Sequence, residues 1–388
     1  MNQGKGASDS RSETKAKKYR LCKLIALSVL VAFILSGLVL FENDITMENL
    51  RYLVKYLDFS AGGAFTDGTV IHYNADSENR FYVFRGDLAI INGSGVSLYD
   101  RRGTIVMSDS FSMSSPVAVC SDKYLAIYDL GGNVLRLYNS FSLLLEKSFD
   151  YPVQSVSLNS DGAFCVVTAA RSYHSAVYVY DEDFREARNW FSADKFATDA
   201  CLSDDDRLLI TAVKVVNGGL QSELIELKLG KKDEQTLFVL NDQLPIAHDS
   251  IENGTLLLSD ESLKYIVSGE EKGSAAFLED SLKMVAFGEE RCAVLQDDLS
   301  VGVSFSLRIF DRAANELYHF PFSVQVRDIE VYRDIVYVLT HQSLFVISET
   351  GVLQEHLLDG DYSEFGVLSS NCVVLCSDSS AVIRIFDK

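Results

Sequence analysis

Three aspartates are the residues whose type and placement could do chemistry. Asp199 in ATDACL, Asp249 in AHDSIE and Asp328 in VRDIEV fall at corresponding points of recurring β-rich segments, and Ser155 in VQSVSL takes that point in a fourth. If those points surround one channel mouth, the carboxylates converge there and would hold calcium or a cationic ligand, since hard divalent cations are held by oxygen. The competing reading is that each Asp caps a local turn. Asp359-Gly360-Asp361 and Asp204-Asp205-Asp206 resemble calcium loops. The first lacks the Glu that closes an EF-hand loop, and turn formation accounts for both.

Other chemistry is absent from the sequence. His72, His174, His248, His319, His341 and His356 show no metal-ligand spacing. No HExxH, paired CxxC, P-loop or GxSxG segment occurs. Of the seven cysteines, Cys120, Cys165, Cys201, Cys292, Cys372 and Cys376 fall in predicted strands. Cys372 and Cys376 would lie about 13 Å apart along one strand, too far to bridge. They read as small apolar core residues. Cys22 would sit beside a membrane, where lipid modification is the alternative to an inert thiol.

Those residues must be positioned by a core. Hydrophobic residues make up 47% of the 388, which excludes a wholly disordered chain. Thirty-five basic against 55 acidic residues give a charge of −20, which argues against nucleic acid as a partner.

Residues 24–41, LIALSVLVAFILSGLVLF, carry no charge and predict a transmembrane helix. Residues 1–23 hold seven basic and two acidic residues, leaving 28 basic and 53 acidic for the rest. By the positive-inside rule the basic tail 1–23 is cytoplasmic and the remainder extracytoplasmic, tethered by a single pass through the plasma membrane. A long basic n-region and the lack of a small-x-small site favour an uncleaved anchor over a signal peptide. Residues 42–59 place Leu50, Leu53, Val54 and Leu57 on one stripe of a short juxtamembrane helix. Residues 60–68 form a linker.

From residue 69 onward the hydrophobic period is two, as in strands. One phrase returns eight times: a β-rich run closing on an aromatic or aliphatic residue, often followed by Asp or Asn. Clear copies end at Tyr99-Asp100, Tyr138-Asn139, Tyr180-Asp181, Phe310-Asp311 and Phe386-Asp387. Weaker ones end at Leu227-Lys228, Val267-Ser268 and Ile347-Ser348, so successive copies lie 37 to 47 residues apart. Before each lies a continuous apolar run such as LAII from Leu88 or VVLC from Val373, suited to a strand buried on both faces. A period near 40 with several short strands per unit predicts propeller blades. The last unit ends a strand short, while TVIHYN at 69–74 has no unit of its own. The fold class predicted is therefore all-β: an eight-bladed β-propeller over 69–388, closed by strand 69–74. Seven blades is the alternative, because the copy around 246–278 is the weakest.

The phrases resemble WD-type repeats with Tyr-Asp or Phe-Asp in place of Trp-Asp. LNSDGAFCVVTAA from Leu158 and LSDDDRLLITAV from Leu202 are similar to the first turn of WD-like and quinoprotein-like propellers. The layout of basic tail, single anchor, ENLRYLVKYLDF helix and acidic repeat domain resembles an uncharacterised family of membrane-anchored propellers of clostridia-type Gram-positive bacteria. That resemblance implies a fold and a topology and brings no activity. With Trp190 the sole tryptophan, the tryptophan-bearing repeat of quinoprotein dehydrogenases is absent. The functional expectation is a non-catalytic binding or scaffolding module at the cell envelope. Its partners would be the bilayer through 24–41 and an envelope protein, peptide or wall polymer. The alternative is an extracytoplasmic lactonase-like or hydrolytic enzyme using the carboxylates at the channel mouth.

Overall fold

The computed structural model describes residues 67–386, apart from 76, 204–206, 230–233, 252–253 and 299–303. The expected tail, transmembrane helix, juxtamembrane helix and Asp204-Asp205-Asp206 loop lie outside the described residues. Within them stand 32 strands, from β1 (Val70–His72) to β32 (Ser380–Ile385), and no helix.

The strands form eight separate four-stranded antiparallel sheets. Seven are simple meanders, as in β2 (Arg80–Phe84), β3 (Asp87–Asn92), β4 (Gly95–Tyr99) and β5 (Ile105–Ser110). At seven of the eight seams the first strand of one blade packs against the first strand of the next, so these strands line the channel. After β2 they are β6 (Pro116–Cys120), β10 (Val153–Leu158), β14 (Phe196–Leu202), β18 (Pro245–Ile251), β22 (Leu282–Phe287), β26 (Val326–Tyr332) and β30 (Glu364–Ser369). The count is eight, not seven. The weakest repeat copy makes a full blade of β18, β19 (Gly254–Ser259), β20 (Ser262–Val267) and β21 (Glu270–Ala276).

The continuous apolar runs are the second strands. In β19 and in β31 (Cys372–Cys376) every residue is buried, because blades pack against both faces of these strands. The cores are accordingly seams between blades. One joins Cys165, Val177 and Trp190 to Ala200, Leu208 and Ile225 of the next blade. The recurring Asp or Asn after the aromatic has a local cause. Asp100 Oδ1 accepts the amides of Arg102 and Thr104 at 3.0 and 2.9 Å, and Asp311 Oδ1 those of Ala313 and Asn315 at 2.8 and 2.9 Å. Each caps the turn into the outer strand. The aromatic before it fills the seam, as Tyr138, Tyr180 and Phe310 do, all fully buried.

The eighth sheet has the order β1-β32-β31-β30, so its outer strand comes from the front of the repeat region. Val70, Ile71 and His72 pair with Val382, Ala381 and Ser380. Gly68 donates to the Ile383 carbonyl and Ile383 to the Thr69 carbonyl, both at 2.9 Å. Ile71, 3% exposed, enters the seam with Leu88, Val374 and Ile383, whereas Val70 faces outward at 46%. Truncating a buried Ile leaves a cavity and costs about 2–5 kcal/mol, while outward-facing substitutions stay within about 0.5 kcal/mol. Ile71→Ala is therefore expected to lower the denaturant midpoint clearly and Val70→Ala hardly at all. Equal midpoints in chemical unfolding would contradict this closure.

Candidate functional site

The channel wall is built from eight short strands whose inner edges lack a neighbouring strand. Side chains supply part of what the ladder cannot. On β26, Asp328 Oδ2 accepts the Phe365 amide at 3.3 Å and Glu330 Oε2 accepts the Val367 amide at 2.9 Å, both from the next blade's inner strand. Burial pushes the Asp328 carboxyl up to about 6 and the Glu330 carboxyl up to about 7. The Glu364 carboxyl is raised by the same cause. This seam of blades seven, eight and one encloses a cavity of about 210 Å³ lined by Glu330, Phe81, Tyr82, Phe365 and Gly366, among others.

The three expected aspartates do not form one rosette. Most of the inner strands carry a bulge near the start, shifting register between Ala197 and Asp199, between Val326 and Asp328, and between Pro245 and Ala247. Asp199 and Asp328 thus hold equivalent positions, together with Ser155 after the bulge at Val153. The equivalent in β18 is Ala247, so Asp249 stands two residues further along. It pairs with Arg312 Nη1 at 2.6 Å in a groove of about 570 Å³ with Gly288, Glu289, Tyr332 and Arg333. Asp199 takes a hydrogen bond from Ser155 Oγ and lies 3.5 Å from His248 Nδ1. Asp328 caps the amides of Ile329 and Phe365. Among the described residues, no three His, Cys, Asp or Glu side chains are grouped to hold a metal ion. The acidic loop at Asp359 is likewise engaged: Asp359 pairs with Arg384, and Asp361 with Arg327 and His341.

Spacing alone marks neither His248, one of six scattered histidines, nor Glu330 as a site residue. His248 occupies the position after the bulge that is Val156, Ala200, Val285 and Ile329 in other blades, a slot packed on the preceding blade. Its side chain is fully buried and neither ring nitrogen has a hydrogen-bond partner. Burial alone would keep the ring neutral. Cys201, Asp199 and Asp249 outweigh burial and hold its pKa up at about 9. Glu330 was legible only as the residue two beyond Asp328, on the same strand face.

Outside the channel, one end of the ring gathers exposed apolar groups. In a meander the turn between second and third strands and the crossover to the next blade leave at the same end. Tyr173 and His174 lie in the first of these in blade three. His174 stacks on Phe196, just after the crossover, with ring centroids 4.4 Å apart. Beside it rises the β15 (Arg207–Val216) and β16 (Gly219–Lys228) hairpin, the longest pair among the described residues, turned at Asn217 and Gly218 with φ of 53° and 88°. Positive φ at both suits Asn-Gly. Val215 on this hairpin is 75% exposed, Phe196 50% and Leu278 61%, with Leu244 and Ile246 also exposed. Asp194, Asp242, Glu279 and Asp280 are exposed around them.

Comparison with known proteins supports the fold and stops there. A family model described as a family of unknown function (DUF5711) matches residues 64–380. No curated protein matches the chain. Similar solved structures include BamB from Moraxella catarrhalis, 11% identical, TM-score 0.50, covering 83% of this chain and 100% of that one. The WD40 domain of SCAP from fission yeast is 9% identical, TM-score 0.50, covering 83% and 98%. The Dos1 propeller is 9% identical, TM-score 0.52, covering 83% and 94%. At such identities the likeness concerns architecture alone.

The buried His248 makes stability depend on pH. Its pKa is raised on folding, so its contribution is complete below about 6.5, the unfolded value, and is lost as pH rises through about 9. Relative to His248→Val, the wild-type chain is expected to lose about 1–3 kcal/mol between pH 6 and pH 10. Urea midpoints of both proteins across that range would check it; a gap that does not change with pH would contradict a charged His248.

Proposed function

Because the chain belongs to DUF5711, a family of unknown function matched across residues 64–380, we propose its role from physical features: a membrane-tethered propeller that binds a protein or peptide partner. The observation that carries this reading is the face bearing Phe196, Val215, Leu244, Ile246 and Leu278. Exposed apolar groups gathered at one end of a fold and rimmed by polar groups mark interaction sites. The rim here is acidic, with Asp194, Asp242, Glu279 and Asp280, and the chain as a whole carries −20. A partner segment with apolar side chains flanked by Lys or Arg complements it in both respects. The carboxylates once assigned to a catalytic mouth are each engaged locally, which favours binding over the hydrolytic alternative.

The cellular setting belongs to the same proposal. Residues 24–41 are apolar and uncharged, and the basic tail before them faces an acidic remainder. These features support a single-pass anchor in the plasma membrane, a cytoplasmic N-terminus and an extracytoplasmic propeller. Linker 60–68 would set its reach, and the resemblance to anchored propellers of clostridia-type Gram-positive bacteria fits that setting.

Phe196→Asp combined with Val215→Asp alters exposed side chains and is expected to leave the unfolding midpoint within about 0.5 kcal/mol. Full-length wild type, this variant and a control with Ile105→Asp and Val352→Asp at the other ends of outer strands would be isolated from their own membranes. The expected result is a partner lost from the first variant and kept by the control. Identical co-isolated proteins in all three would overturn the assignment of this face.

A further inference from the structure

We infer that the cavity between β2, β26 and β30 is a binding site for a small organic cation, with Glu330 as its counter-ion. The inference is independent of the docking face, which lies outside the channel.

The argument begins with Glu330. One carboxylate oxygen is fixed by the Val367 amide at 2.9 Å, and the other has no hydrogen-bond partner among the described residues. The side chain is largely removed from water and lines a space of about 210 Å³. The other lining residues are Phe81, Tyr82, Val83, Leu88, Phe365 and Gly366, all apolar or aromatic. Gly366 lets β30 approach β2 closely, since a Cβ there would fall 2.5 Å from Val83 Cγ2. A carboxylate in such walls is costly to ionise without a partner.

Few ligand classes fit. An anion would meet Glu330, Asp328 and Glu364. A hard divalent ion needs several oxygen ligands, and no metal-capable group of three occurs among the described residues. A purely apolar ligand would leave the free oxygen unpaired. An alkylammonium donates N–H to that oxygen, lays its carbon body on Val83 and Leu88, and is attracted by aromatic ring faces. The space is smaller than the roughly 300–1,000 Å³ of drug-sized pockets, which limits the ligand to a small amine.

Cation binding is linked to the proton on Glu330. In the empty site burial holds the carboxyl at about 7, with the Val367 amide pulling it down and Asp328 pushing it up. Other ionisable groups around this seam include Tyr82, Tyr337, Glu364, Cys376 and Arg80. A bound cation favours the ionised form, so affinity rises up to about tenfold per pH unit below 7 and levels off above it.

Isothermal titration of the full-length chain in detergent with ethylammonium chloride, against sodium chloride and sodium propionate, tests the site. Saturable binding of ethylammonium alone is expected, weaker at pH 5.5 than at pH 8. Glu330→Gln keeps the acceptor for Val367 and is expected to weaken binding more than tenfold. Tyr82→Leu removes one ring, keeps the charge, and is expected to weaken it less. Unfolding midpoints of both variants establish that they are folded. No saturable heat with ethylammonium, equal binding of propionate, or unchanged binding in Glu330→Gln would overturn the proposal.

Discussion

An antiparallel sheet cannot end without leaving a row of unpaired amides and carbonyls, and this molecule is organised by how it disposes of them. Each blade has an outer edge facing solvent and an inner edge facing the channel. The chain shuts the ring by lending β1, from its front, to the blade at its back. Without that loan β32 would present Ile383 and its neighbours as a free edge, the arrangement that invites pairing with other chains. Closure also decides the cores. Cys372, Val374 and Ile383 of the last blade are buried against Leu88 and Ile90 of the first. The two-sided burial that makes the second strands so apolar is therefore a property of the whole ring.

The inner edges are handled differently, and the channel's chemistry follows from that difference. Carboxylates of β26 reach sideways to the amides of β30. This satisfies donors that no strand can reach, at the cost of holding acids in a poorly solvated place. The raised pKa values of Asp328 and Glu330 express that tension. At the opposite seam the same inner-strand positions bring Asp199 to the buried His248 instead. A scaffold of nearly uniform blades thus becomes chemically uneven at its centre, through substitutions at two or three positions per inner strand.

The repeats were legible because their residues repeat for local reasons. Asp100, Asn139, Asp181 and Asp311 each cap the same turn, and the aromatic before each fills the same seam, so a period near 40 survived low similarity between copies. The missing outer strand could be read from the arithmetic of the last unit. The partners of the three aspartates were not legible. Asp249 and Asp199 sit in similar short segments, yet Ala247 is the structural counterpart of Asp199, and nothing in the letters marks that two-residue offset. His248 has no ligand spacing, and a single His in a β-rich run reads like any core position. Its exceptional character lies in the neighbouring blade, in Asp199 and Cys201, some 50 residues earlier. The exposed apolar end was equally hidden, since Phe196, Val215 and Leu278 are brought to one end only by the ring.

The central claim is that the front of the propeller is zipped to its back, and native-state hydrogen exchange at the Ile383 amide tests it most directly. That amide donates to the Thr69 carbonyl across the closing pair. The account requires it to exchange as slowly as the amides of the buried strand Cys372–Cys376, opening only with the sheet as a whole. Exchange at the rate of an unprotected edge, while those neighbours stay protected, would mean that the ring is not closed by this strand.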